Sequence, residues 1–466
     1  MLTKIGEKFT DFFKKYMPDA FVFAIILTFI TGISSLIILE IGIFEIINSW
    51  YKGFWTLLEF GMQMVLIIVT GYAIALSPLI NKQVDKLSQI INTPIQVYYF
   101  VTLLGILVSL ISWGWIVIVA VLARELALRV KGIHYPFLIA CTYFSTTAYV
   151  CGLSSSIPLL LNTKGNYLIK TEIIERTIST DLTLGSSLNI TILLIYVFLA
   201  PLLFILIRPK NAKGQELNDL LISKKKIKKE ITIKEEAESQ KLPFKAISDN
   251  LNNSSILMFL ICFIGFTYLT RYFYFNGFDL NFNIMIFIFL FFGMFLHRTP
   301  IRYGIALRKA SNNVSGIILQ FPFYAGIMGI MIHTGLGGKL ADLISDFATV
   351  DTYPFFCAIL GGVVNFAIPS AGGEFAVIGP SVIEAIKEIG NGLNEYELIK
   401  MIARASMSVA YGETLTNLLH PFYLLLIIPI MGVGVNLQAR DVMGYLVLPF
   451  ILCFTIISLL ITYMPL

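Results

Sequence analysis

Charge is scarce in this chain. Lys, Arg, Asp and Glu together make up 14% of its 466 residues, against roughly 25% in an ordinary soluble domain. Too few charges are present to coat a water-facing surface of this size. Cysteine is scarce as well: Cys141, Cys151, Cys262, Cys357 and Cys453 all sit in apolar runs, and none has metal-ligand spacing. They read as small buried hydrophobes, so neither a bound metal nor a redox centre is expected. Enzyme motifs are also missing. No His-Glu-x-x-His, Gly-x-Ser-x-Gly or phosphate-binding loop occurs, and the chain does not read as an enzyme or as a holder of any cofactor.

What fills the sequence instead is apolar. Hydrophobic residues make up 57% of it, and the mean hydropathy is +0.80. Runs such as Phe21–Leu39, Leu188–Ile207 and Phe282–Leu296 recur from end to end. Each is long enough, or nearly so, to cross the ~30 Å hydrocarbon layer as a helix. The expected class is an all-α polytopic membrane protein whose lateral partner is lipid. The first apolar run is longer than a signal-peptide core and is followed by a second run without a small-residue cleavage site, so it reads as a span.

The charge that exists sets an expected topology. Lys4, Lys8, Lys14 and Lys15 precede the first span and place the N-terminus in the cytoplasm. Residues 208–253 hold eleven Lys or Arg, with Lys224–Lys226, Lys228 and Lys229 at the centre and Glu230, Glu235, Glu236 and Glu238 among them. Mixed signs point to a solvated cytoplasmic linker with local helix and not to a nucleic-acid site. Spans are then expected near 17–40, 53–78, 135–162, 181–207, 255–273, 282–297, 314–334, 399–430 and 442–464. Two segments of about 36 residues, 95–130 and 353–388, start and finish on one side and carry Ser112-Trp-Gly-Trp115 and Pro369-Ser-Ala-Gly-Gly373 at their middles. Both read as re-entrant hairpins.

The two halves then repeat the same order: span, surface stretch, span, hairpin, broken span, final span. Residues 1–207 form the first copy, with its hairpin at 95–130 and broken helix at 135–162. Residues 208–253 are the linker. Residues 254–466 hold a linking span and the second copy, with its hairpin at 353–388 and broken helix at 399–430. The copies begin on opposite sides, and such inverted repeats with paired breaks belong to secondary transporters.

Broken backbone at membrane depth is tolerated where it is buried in protein or lines a wet cavity. Four breaks are expected: Ser112-Trp-Gly114, Gly152-Leu-Ser-Ser-Ser-Ile-Pro158, Pro369–Glu374 and Gly412–Pro421. Helix N-termini there suit a carboxylate, and Ser154, Ser155, Ser156, Ser370, Thr414 and Asn417 add neutral donors. Ser112, Gly114, Asn365, Gly372, Gly373 and His420, on or beside the same breaks, complete the candidate substrate-binding set. Freed carbonyls and hydroxyls equally suit a small cation such as Na⁺. Lys and Arg are missing from the breaks, which favours a compact monoanion over a di- or tricarboxylate. Glu374 and Glu413 are candidate ion-coupling residues, because intramembrane carboxylates are costly.

Plainer readings stand beside these. Ser154–Ser156 are equally hydroxyls that bond back to helix carbonyls and bend the span. Gly372 and Gly373 equally serve close packing, and His420 is a proton carrier, a substrate donor or a packing residue. Glu59, His134, His297 and His333 read as residues near span ends.

Several stretches together resemble the AtoE-type short-chain fatty acid transporters, within the ion transporter superfamily. They are Phe60–Gly71, Trp113-Gly-Trp115 with Ala123-Arg-Glu125, Gln320–Gly326, Thr334–Gly338, Asn365–Gly373 and Ala410-Tyr-Gly-Glu413. The resemblance runs from about residue 5 to 460. It implies uptake of short-chain monocarboxylates, such as acetoacetate or butyrate, across a bacterial inner membrane, coupled to Na⁺ or H⁺. It further implies a homodimer with a fixed scaffold and an elevator-like moving domain. The alternative within the superfamily is a carrier of dicarboxylates, amino acids or peptide fragments.

Overall fold

A computed structural model describes residues 20–87, 89–209, 211–221, 232–244, 246–277, 279–311, 314–337, 339, 348–365, 368–419, 424–432, 434–435, 437 and 440–464. Regular structure among them is helical, with one isolated bridge between Leu221 and Val435. Besides short surface pieces, the helices of the first half are α1 (Ala20–Ile38), α2 (Ile43–Phe54), α3 (Leu58–Ala75), α4 (Pro94–Ile111), α5 (Ile116–Arg129), α6 (Tyr135–Ser145), α7 (Ser156–Leu161) and α8 (Ser187–Ile207, with a π-helical stretch over Ile195–Leu199). Those of the second half are α9 (Ser255–Asn276), α10 (Phe282–His297), α11 (Pro300–Ser311), α12 (Ser315–Thr334), α13 (Tyr353–Asn365), α14 (Ala371–Ile389), α15 (Glu395–Thr416), α16 (Leu424–Met431) and α17 (Val447–Tyr463).

Several starts are written in local sequence. Thr93 and Gln96 form a reciprocal cap around Pro94, the first residue of α4, and this arrangement satisfies two backbone donors that a helix start leaves open. Ser254, Asn281, Ser370 and Asn394 cap α9, α10, α14 and α15 through their side-chain oxygens.

The helices collect into two bundles, each drawing on both halves of the chain. In the first, α12 packs on α1, α2 and α3, α10 and α11 pack on α3, and α9 lies on α10. In the second, α4 packs on α5, α6 and α8, α13 and α14 pack on α15, α17 closes over α13 and α15, and α16 lies on α5. The bundles meet where α12 touches α14 and where the turn after α4 touches α3. Without water between apolar helices, close association depends on small residues that bring backbones together. At the α2–α12 crossing, a Cβ on Gly329 would stand 2.5 Å from the Gly53 Cα.

Burial is distributed as expected for a membrane protein. The α6–α7 segment is sealed within the second bundle, while α9 shows its apolar face outward, with Ile256 73% exposed and Phe263 62%. Five described helices have the length and hydropathy to cross a membrane, over Leu58–Ala75, Pro94–Ile111, Tyr135–Leu161, Ser187–Ile207 and Ile247–Asn276. Shorter apolar helices cover Ala24–Ile38, Phe282–His297, Ile318–Thr334, Tyr353–Asn365 and Val447–Tyr463.

The linker is less free than a solvated tether. The Tyr135 N–H donates to the Gln215 carbonyl, and Leu217 is buried. The short helix Ile233–Ser239 lays Ile233 and Ala237 against α11, with Lys309 and Glu236 paired at 3.0 Å. The Lys224–Lys229 run lies outside the described residues.

Candidate functional site

The first predicted hairpin is two helices, α4 and α5, packed side by side and joined by a single 3-10 turn over Trp113–Trp115. Its tip is bound to the broken helix that follows. After α6 the chain tightens into a 3-10 stretch, Thr146–Cys151, and then runs extended to α7. Gly152 is pressed so close to the end of α4 that a Cβ there would lie 2.2 Å from the Leu110 carbonyl oxygen. That contact lets the Leu153 N–H donate to the same carbonyl at 2.6 Å. The Trp113 N–H in turn donates to the Ser154 Oγ at 3.0 Å. Ser154 therefore ties its break to the tip.

The second half repeats this arrangement with different residues. Asn365, fully buried at the end of α13, donates through Nδ2 to the Glu413 carbonyl at 3.1 Å, to the Thr416 Oγ1 at 2.9 Å and to the Asn417 Oδ1 at 2.9 Å. The break in this helix comes later than expected. Helix α15 continues through Gly412 to Thr416 and becomes 3-10 only at Asn417–Leu419. Gly412 is a crossing point, since a Cβ there would stand 1.8 Å from the Ala358 carbonyl oxygen of α13.

The two breaks then join each other. Tyr143 donates to the Asn417 carbonyl at 2.5 Å, Thr414 donates to the Thr147 carbonyl at 2.9 Å, and Tyr149 donates to the Glu413 Oε2 at 3.1 Å. The Glu413 Oε1 accepts from the Asn417 Nδ2 at 2.9 Å. Both breaks and the end of α13 are thus joined in one buried polar network within the second bundle, and the part-buried Trp113–Ser154 bond lies beside the first break.

The remaining candidates fall around it. Ser112 is buried against Gly71, where a Cβ would come within 2.4 Å of its Oγ, and Gly114 is buried in the turn beside it. The Trp115 Nε1 donates to the Gly71 carbonyl at 2.9 Å, which fastens this tip to the first bundle. Ser155 and Ser156 are buried at the start of α7. Ser370 is partly exposed and caps α14 by accepting from the Gly373 N–H at 3.4 Å. Gly372 faces Phe60 and Met64, and Gly373 faces Tyr324, at distances where a Cβ would be tight. Glu374 is fully buried. His420 lies outside the described residues. Glu59 is exposed and paired with Lys170 at 2.6 Å. The His297 Nε2 meets the Ala73 carbonyl at 2.8 Å, and the His134 Nδ1 caps α6, so both are structural. Among the described residues no group of three or more His, Cys, Asp or Glu could hold a metal ion.

Several contributors were not anticipated from sequence. Tyr143, Tyr149, Thr147 and Thr416 complete the network, and Tyr411 donates to the Asn189 Oδ1 at 2.9 Å alongside it. Phenols in apolar helices resemble packing residues, and only the fold shows where their hydroxyls end. Two buried arginines were also missed as structural devices. Arg124 donates to the Met431 carbonyl at the end of α16, and Arg404 donates to the Leu460, Ile461 and Met464 carbonyls at the end of α17. Cations at helix C-termini complement the dipole and satisfy open carbonyls.

Comparison with known proteins gives a consistent picture. Residues 1–464 match the family described as short chain fatty acid transporter. A Haemophilus influenzae protein named "Putative short-chain fatty acid transporter" is 36% identical over 455 residues, covering 96% of each chain. An Escherichia coli K12 protein of the same name is 36% identical over 448 residues, again covering 96% of each. Among solved structures, the YdaH transporter of Alcanivorax borkumensis, reported to have an unusual topology, superposes with a TM-score of 0.52 at 14% identity. The match covers 90% of this chain and 86% of that one, and it is a likeness of fold.

Proposed function

The chain belongs to the short chain fatty acid transporter family, and from that premise we propose that it takes up short-chain monocarboxylates such as butyrate or acetoacetate across the inner membrane, driven by a cation gradient. It is a multi-pass membrane transporter and not an enzyme. The observation that carries the finer reading is the buried network joining Asn365, Glu413, Thr414 and Asn417, with Ser154 bonded to the Trp113 turn in the same bundle. It joins both breaks and the end of α13 within the second bundle, and the first bundle meets that body where α12 touches α14 and where the Trp113–Trp115 turn touches α3. A bundle carrying the whole site is the body that an elevator movement would carry past a scaffold.

The donors around the breaks are hydroxyls, amides and backbone N–H groups, and the buried Arg124 and Arg404 are committed to helix ends. This supports a monoanion over a dicarboxylate, which would call for a second, cationic anchor. Uptake of labelled butyrate and acetoacetate into proteoliposomes, under separate Na⁺ and H⁺ gradients, tests the reading. Accumulation of at least one of them above equilibrium, with mutual competition, is expected. Accumulation of succinate with neither monocarboxylate transported would overturn it.

A further inference from the structure

Glu374 in α14 and Glu413 in α15 are fully buried on two helices that pack together, and their surroundings differ. Both Glu413 oxygens accept hydrogen bonds, from Tyr149 and from Asn417, which is what a charged carboxylate requires. Glu374 is fully buried, and among the described residues neither Oε1 nor Oε2 has a hydrogen-bond partner. Resting on the carrier reading above, we propose that Glu374 is the site that takes up and releases the coupling proton, while Glu413 stays a fixed, hydrogen-bonded carboxylate.

A bare carboxylate without donors bears its full desolvation cost, and a second carboxylate beside it adds repulsion. A bound proton removes both. Two neighbouring carboxyls with opposed environments are how proteins divide a fixed charge from a titrating one. A Na⁺ ion would need a cage of several oxygens, whereas a proton needs one carboxyl oxygen. A Cβ on Gly361 would stand 2.5 Å from the Val409 carbonyl oxygen and 3.0 Å from the Glu374 Oε1, so α13 and α15 are already in contact around this carboxyl.

Titratable groups lie on several elements around α14, and the Tyr167 hydroxyl donates to the carbonyl of Phe375, the residue after Glu374, at 3.2 Å. Helix α13 carries Tyr353 and Cys357, α12 carries Tyr324 and His333, and α7 carries none. Helix α15 carries Glu395, Tyr396, Glu397, Lys400, Arg404, Tyr411 and Glu413, of which Tyr411 is engaged by Asn189 and Arg404 by the end of α17. On α14 itself, Glu384, Lys387 and Glu388 lie in the later turns. Of the acids on these helices, Glu413 shares the complete burial of Glu374. In the step itself, a proton from external water forms an O–H bond with a Glu374 oxygen, crosses with the anion, and is returned to water inside. The loaded site therefore crosses with less net charge.

Glu374→Gln mimics the protonated carboxyl in size and charge. Two measurements on the full-length protein test the proposal. In proteoliposomes, the variant is expected to lose accumulation driven by a pH gradient, while still exchanging labelled for unlabelled butyrate within about threefold of the wild-type rate. In detergent, infrared difference spectra between acid and alkaline pH should show a protonated-carboxyl band that Glu374→Gln removes and Glu413→Gln keeps. Wild-type accumulation by Glu374→Gln, or a band lost with Glu413→Gln instead, overturns the proposal. The spectra need no substrate, so a failure to transport butyrate would count against the carrier reading alone.

Discussion

Asn365 sits at the most demanding position in the network. One side-chain nitrogen serves the Glu413 carbonyl, the Thr416 hydroxyl and the Asn417 amide oxygen, all buried. Leaving buried acceptors without a donor costs about 1–3 kcal/mol. Asn365→Ala is therefore expected to lower the thermal unfolding midpoint in detergent, and an unchanged midpoint would show that these bonds contribute nothing. Asn365→Asp places an acceptor where a donor is required and should lower it further. By contrast, the exposed Glu59–Lys170 pair is of the kind that contributes roughly 0–1 kcal/mol, so its interest is positional.

At the scale of elements, the second bundle depends on backbones that nearly touch. Helices α13 and α15 cross at Gly361 and Gly412, and a Cβ on Gly412 would overlap the Ala358 carbonyl. Gly412→Ala cannot be absorbed by a side-chain rotation, because the obstacle is main chain. It should abolish the monodisperse folded peak in fluorescence-detected size exclusion. Gly304 in α11 is the matched control, with nothing within 4 Å of its own Cβ position. Gly304→Ala removes a flexible residue from a helix interior and is expected to add about 0.5–1 kcal/mol of stability. If both variants fold equally well, the close crossing is not what the α13–α15 packing requires.

For the whole molecule, the seam between the bundles decides whether one moves past the other. Besides the Trp115–Gly71 bond, it is crossed by Asn162, which donates to the Asp279 Oδ1 and the Leu280 carbonyl at 2.7 Å each, and by the Phe282 N–H, which donates to the Thr163 Oγ1 at 3.2 Å. The Lys170–Glu59 pair spans the same seam on the outside. The proposed movement must break these contacts. Cysteines at positions 59 and 170 bridged by a short reducible cross-linker should arrest uptake, and reductant should restore it. The native cysteines among the described residues are buried and leave the test clean. Uptake that survives cross-linking would mean that transport does not separate the bundles at this point.

Composition and order along the chain were enough to identify an all-helical membrane protein, the family and the neighbourhoods of the breaks. These depend on local properties: apolar length, the placement of charge, and chain-breaking residues such as Gly152 and Pro369. Other features were settled by tertiary contact alone. Within the expected break Gly412–Pro421 the helix runs on to Thr416 before turning 3-10 at Asn417, because a glycine that permits a close crossing looks the same in sequence as one that ends a helix. Tyr143 and Tyr149 became part of the site because helices far apart in sequence bring their hydroxyls to Asn417 and Glu413. Glu374 and Glu413 were indistinguishable as residue types. What separates them is which donors the fold brings within reach, and a hydrogen bond between residues more than 260 positions apart exists only once the chain has folded.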